Sequence, residues 1–211
     1  MSVKEGRGRR RLLAAMAMSP LAWHAPVVQA GAQVEEPLAD SVRSALSASI
    51  ANSAPPKPAF ETMEARLEYL RWLGEMSNRL KRRKAEHVAR VEFLETLQYE
   101  SSRAGLDPAL VLGVVQVESG FRKYAISSVG ARGYMQVMPF WARLIGDGDA
   151  GRLFHMQTNL RFGCVILRHY LNLERGDLYM ALGRYNGSRG RPEYPNLVFG
   201  ARKTWQFKSA A

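Results

Sequence analysis

A single cysteine, Cys164, stands among 211 residues, which excludes an internal disulfide and any thiolate metal cluster. Histidine is scarce as well. His24, His87, His155 and His169 form no pair at helical ligand spacing, so no resident metal or other cofactor is expected. Acid is short relative to base, with 19 Asp+Glu against 30 Lys+Arg and a net charge of +11. That imbalance points to an anionic partner: nucleic acid, a membrane surface or a carboxylate-bearing polymer. No apolar run reaches the ~20 residues that a stable membrane-spanning helix needs. No internal repeat is visible. What remains is a chain of 46% hydrophobic content, long enough for one well-buried domain and an appendage.

The first 32 residues read as an export signal. MSVKEGRGRRR carries five basic residues against one acid, then come a short apolar stretch broken by Pro20 and the small residues Ala30-Gly31-Ala32. This layout predicts a cleaved secretory segment ending at Ala32 and a periplasmic destination; the arginine run leaves a twin-arginine route open. With no cysteine near the cleavage point, a lipid-modified N-terminus is not available. Residues 33–59 are rich in Ala, Ser and Pro and read as a linker, a tether rather than a packed element.

Residues 60–100 turn helical. Met63, Leu67, Leu70, Leu73 and Leu80 form one apolar stripe; Val88, Val91, Leu94 and Leu97 form another. Eight acids balance eight bases here, so the run RLKRRK reads as a solvated helix face rather than a phosphate-binding patch. The segment is expected to be an amphipathic arm that packs on the following domain or on a protein partner.

Residues 101–211 carry the basicity, 15 bases against 7 acids, and are expected to form the compact domain with a basic, aromatic tail. Asp107-Pro108 is a strong helix start and Gly120 a stop. Between them VLGVVQVE runs almost wholly apolar into Glu118. Val111, Val114 and Val115 share a helix face with that glutamate at spacings of seven, four and three. Burial and the helix C-terminus both push its pKa upward, with burial the larger effect. A carboxyl kept protonated near neutral pH is what general acid catalysis of acetal cleavage requires. The alternative is a structural glutamate paired with a base such as Arg122.

Four motifs follow in order: E-S-G-F from Glu118, S-x-x-G-A-x-G-Y-M-Q-x-M-P from Ser127, N-L-x-x-G from Asn159 and Y-N-G from Tyr185. Together, over about residues 98–200, they resemble the lytic transglycosylase domain of the soluble (SLT) family. The resemblance implies a mainly α, lysozyme-like domain with a groove for bacterial peptidoglycan glycan strands. It also implies cleavage of the MurNAc–GlcNAc β-1,4 bond with a 1,6-anhydromuramoyl end. In that family the glutamate is the lone acid and base, here Glu118, and the neighbouring Ser119 orients the reacting sugar. Substrate contacts carried over by motif are Ser127, Tyr134, Met135, Gln136, Asn159, Tyr185 and Asn186, with Tyr185 near the acid. Tyr134 stands where the family has leucine, Arg184 where it has alanine, and Tyr194 is placed at the border of the groove.

Other readings stay open. Asp147 or Asp149 could supply the second carboxylate of a hydrolytic lysozyme, since conventional glycosidases use two. A peptidoglycan-binding or secretion-accessory protein would keep the groove with little turnover. A nucleic-acid binder is disfavoured by the export signal and by the absence of recognition motifs.

Overall fold

Asp107 accepts a hydrogen bond from the Ala109 amide, Pro108 opens the helix and Gly120, at φ 58°, closes it, giving the central helix Pro108–Ser119. The computed structural model describes residues 33–51 and 58–208. In chain order the helices are α1 Asp40–Ala51, α2 Met63–Leu80, α3 His87–Arg103, α4 Pro108–Ser119, α5 Pro139–Ile145, α6 Met156–Leu173, α7 Leu178–Asn186 and α8 Glu193–Lys203. A 3-10 turn spans Ala150–Phe154. Among the described residues there is no strand, so the expected mainly α class holds; two isolated bridges, Ile126 with Arg132 and Arg132 with Val137, brace the loop after α4.

α4 is buried nearly all round, as its unbroken apolar run requires. α3 and α8 pack against it, α6 backs α3, and α7 lies between α6 and α8. Gly113 makes the α4–α8 crossing close: a methyl group there would sit 3.0 Å from the Arg202 amide nitrogen and 3.1 Å from the Val198 carbonyl. Glu100 of α3 and Arg161 of α6 form a buried ion pair at 2.6 Å beneath these helices. Cys164 is wholly buried in the same core.

Three expectations about organisation change. The segment read as a tether contains α1, which buries Leu46 and lies against α5 and α6. Its alanines and serines are compatible with a helix, and one leucine suffices to seat it. The supposed arm does not stop at residue 100: α3 runs to Arg103 and contributes Phe93, Leu94 and Leu97 to the core. The run RLKRRK is only partly solvated, since Arg83 lies over Phe121 and Lys84 over Phe93 and Tyr134. Within the compact domain the basic, aromatic tail forms α8 followed by Trp205, whose indole donates to Gln116. Residues 1–32, the expected export signal, lie outside the described residues; no described helix is long and apolar enough to cross a membrane.

Candidate active site

Glu118 occupies the last turn of α4 and is 5% exposed. Its Oε1 accepts a 2.6 Å hydrogen bond from the Tyr194 hydroxyl, and its Oε2 is buried without a partner. Burial drives its pKa up to about 8, with the Tyr194 hydrogen bond acting in the opposite direction. The structural alternative fails on geometry: Arg122 donates instead to the Ser119 carbonyl, from which it stabilises the end of α4. An uncompensated carboxyl in an apolar helix end therefore holds its proton near neutral pH. It can lend that proton to an acid-labile group.

The tyrosines come from the next two elements. α7 ends at Tyr185 and Asn186, both buried, where Gly187 at φ 80° terminates it. The Tyr185 hydroxyl donates to the Met135 carbonyl at 2.7 Å, and both burial and the neighbouring Glu118 raise its pKa. α8 presents Tyr194 through the stripe Tyr194, Val198 and Ala201 against α4.

The loop from 121 to 139 follows α4, and here the carried-over substrate residues make internal bonds. Ser119 donates to the Tyr134 carbonyl at 2.7 Å and so ties α4 to the loop. Ser127 closes a turn by accepting from the Ala131 amide. Met135 is buried against Gly163, where a methyl group would fall 2.3 Å from its sulfur. Asn159, wholly buried, accepts from the Met135 amide and donates to the carbonyls of Arg132 and Leu153. Its three bonds hold the loop's shape. The Gln136 side chain donates to the carbonyls of Ala125 and Gly133, which offsets a left-handed backbone at φ 49°. Tyr134, 2% exposed, accepts from Lys84 and edges a cleft of about 770 Å³ on the α3 side. The common reason is local: a tight loop buries its polar groups, and each must be satisfied before any can serve a ligand.

The structure thus brings Tyr185 near Glu118 and adds Tyr194 as the direct partner of the acid. The sequence signal for Tyr194 was its position between Pro192 and Pro195 at a helix start, on the face of Val198 and Ala201. No other carboxylate contributes to the Glu118 shift. Asp147 pairs with Arg152 on an exposed loop, Asp149 caps the 3-10 turn, and Glu174, bound by Arg189 and Arg184, is held at a pKa of about 2. Among the described residues no three His, Cys, Asp or Glu side chains come together as a metal site would require.

Fold and site define a class: a helical domain holding a buried acid, free of any basic partner, whose hydrogen-bond partner is a tyrosine. The chain belongs to the family of the transglycosylase SLT domain, whose model matches residues 95–207, more than half its length. It is similar to the transglycosylase of Enterobacteria phage PRD1, 37% identical over 105 residues that make up 49% of this chain and 38% of that protein. It is likewise similar to membrane-bound lytic murein transglycosylase C of Actinobacillus pleuropneumoniae, 31% identical over 99 residues, 44% of this chain and 24% of that one. The chain spans about a quarter to two fifths of the length of these curated relatives. Among solved structures, an inactive mutant of lytic transglycosylase Slt from Pseudomonas aeruginosa aligns with 68% of this chain and 28% of that one, at 24% identity and a TM-score of 0.44.

Proposed function

We propose that the chain is a peptidoglycan lytic transglycosylase, a lyase that cuts the MurNAc–GlcNAc β-1,4 bond without water. The observation that carries this is Glu118: buried, protonated near neutral pH, one oxygen held by Tyr194 and the other unpartnered. Its proton passes to the glycosidic oxygen as the bond to C1 of the muramoyl residue breaks. The acetamido oxygen of the same residue bonds to C1 in place of a second protein carboxylate. The Glu118 carboxylate then takes the proton of the sugar's primary hydroxyl, whose oxygen displaces the acetamido group and closes the 1,6-anhydro ring. A pKa near working pH serves both proton transfers.

The family, the names of the relatives and the absence of a second carboxylate acting on Glu118 support this reading. The basic excess of residues 101–211 suits carboxylates on the peptide stems. Export to the periplasm, with cleavage after Ala32, is part of the proposal because the substrate lies outside the cytoplasm. A protein partner for the 60–100 region is also part of it, supported by the exposed apolar side chains Met63, Leu67 and Leu70 on α2.

The test is mass spectrometry of the soluble products released from purified peptidoglycan, beside a Glu118→Gln control. Anhydro-ended muropeptides from the unaltered chain, with at least ~10³-fold less from the variant, are expected for loss of a general acid that leaves nothing to replace it. Reducing-end products would make it a hydrolase, and no products with retained pelleting would make it a binding protein.

A further inference from the structure

We propose that residues 33–38 form an autoinhibitory strap, with the Gln33 carboxamide seated in the groove where the acetamido group of a glycan would dock. The proposal rests on the transglycosylase reading for the identity of the glycan. It rests on geometry for the strap itself.

Val34, Glu35, Glu36 and Pro37 are exposed, yet Gln33 beside them is 4% exposed. Burying a carboxamide is unfavourable unless its groups are bonded, and this one is bonded as an amide would be by a receptor. Its oxygen accepts from the Trp141 indole at 3.0 Å and from the Met138 amide at 3.5 Å. Its nitrogen donates to the Gln136 carbonyl at 3.5 Å. The Gln33 side chain also lies close enough to Tyr185 to favour ionisation of its hydroxyl, which burial and Glu118 oppose. A secondary acetamido group offers the same carbonyl oxygen and N–H. Two amides cannot occupy these partners at once.

The strap is built to yield. Only the Trp141 bond has ordinary length, the two at 3.5 Å being at the weak limit. Glu36 pairs with Arg184 at 2.7 Å and Glu35 with Arg143 at 3.5 Å, both at exposed positions where an ion pair contributes little. Behind the strap, α1 fully buries only Leu46 and runs between two clefts of about 390 and 510 Å³. Its other ties are the partly buried Val42 and Ile50 against the core and the Arg103 and Arg161 guanidiniums on the carbonyls of Ser49 and Ile50. With the strap in place Glu118, Tyr185 and Tyr194 are all at most 5% exposed. A glycan strand reaches the acid only after the strap lifts, so the seated population lowers apparent affinity without touching the chemistry.

The test compares the 211-residue chain with its Gln33→Ala variant, using the β-1,4 tetrasaccharide of GlcNAc as probe and calorimetry for binding. The Trp141 indole N–H resonance is followed in parallel. Expected are a Kd at least about fivefold lower in the variant, a matching fall in KM on peptidoglycan at unchanged kcat, and a shifted indole resonance that the tetrasaccharide also displaces in the unaltered chain. Equal affinities, failure of both chains to bind the tetrasaccharide, or an indole resonance that Gln33→Ala leaves in place would overturn the strap. Tighter tetrasaccharide binding by the variant without anhydro products from either chain would leave the strap standing and remove the transglycosylase.

Discussion

A carboxyl with a pKa of about 8 is mostly protonated at neutral pH, and the reason is confined to a few atoms around Glu118. Burial is the first cause; Tyr194 opposes it by donating to the ionised form more strongly than to the neutral one. Turnover that needs the acid form should therefore hold through neutrality and fall as pH rises past about 8. Tyr194→Phe removes the opposing bond, so the alkaline limb should move to higher pH, and a kcat/KM profile of the variant reads this directly. A displacement to lower pH would show that Tyr194 acts in some other way. The same shift has a stability consequence. The native pKa lies above that of the unfolded chain, so native Glu118 retains its proton between about pH 4.5 and 8 while the unfolded chain loses it. Stability from this group is full below that window and declines as pH rises through it. Glu118→Gln should melt several degrees above the unaltered chain at pH 8 and close to it at pH 4, at roughly 2–4 °C per kcal/mol, by calorimetry at the two pH values. Glu118 was legible in the sequence because a glutamate ending an apolar run is conspicuous. That Tyr194, read only as bordering the groove, bonds the acid directly was not legible, because the two lie 76 residues apart.

At the scale of elements, the site depends on how closely α8 approaches α4. Gly113 permits backbone atoms of Val198 and Arg202 within 3.0–3.2 Å of where a side chain would begin. Gly113→Ala should press the helices apart, destabilise the fold by about 1–3 kcal/mol as overpacking does, and loosen the Tyr194 bond. Urea unfolding measures the first effect, and a reduced rate with an alkaline limb shifted as in Tyr194→Phe reveals the second. Helix starts and stops were largely readable, since Asp107, Pro108 and Gly120 act locally. α1 was misread for the complementary reason: its composition is that of a tether, and a single buried leucine and contacts to α5 and α6 make it a helix on the body.

Across the whole molecule, the ion pair between Glu100 and Arg161 joins the segment before the central helix to the one after the site loop. Both side chains are at most 5% exposed, so removing Arg161 leaves the buried Glu100 carboxylate only the more distant Arg103, at 3.7 Å, as a cationic partner. Arg161→Met should lower stability by about 3–5 kcal/mol, and adding Glu100→Gln should recover part of it; denaturant titration of the single and double variants checks both. This pair also ties the 60–100 segment to the body, for α3 carries half of it and three of the buried core side chains besides.

Local chemistry by itself determined the helical class, the bounds of α4, the isolation of one carboxyl on an apolar face and the order of motifs that carry the family resemblance. These depend on residues within a few turns of one another, where capping, periodicity and backbone restriction decide. The tertiary structure decided which partners the polar side chains take within the protein. Ser119, Ser127 and Asn159 bond within the protein because a buried loop must satisfy its own donors and acceptors, and Tyr194 meets Glu118, and Gln33 meets Trp141, because packing brings distant segments together.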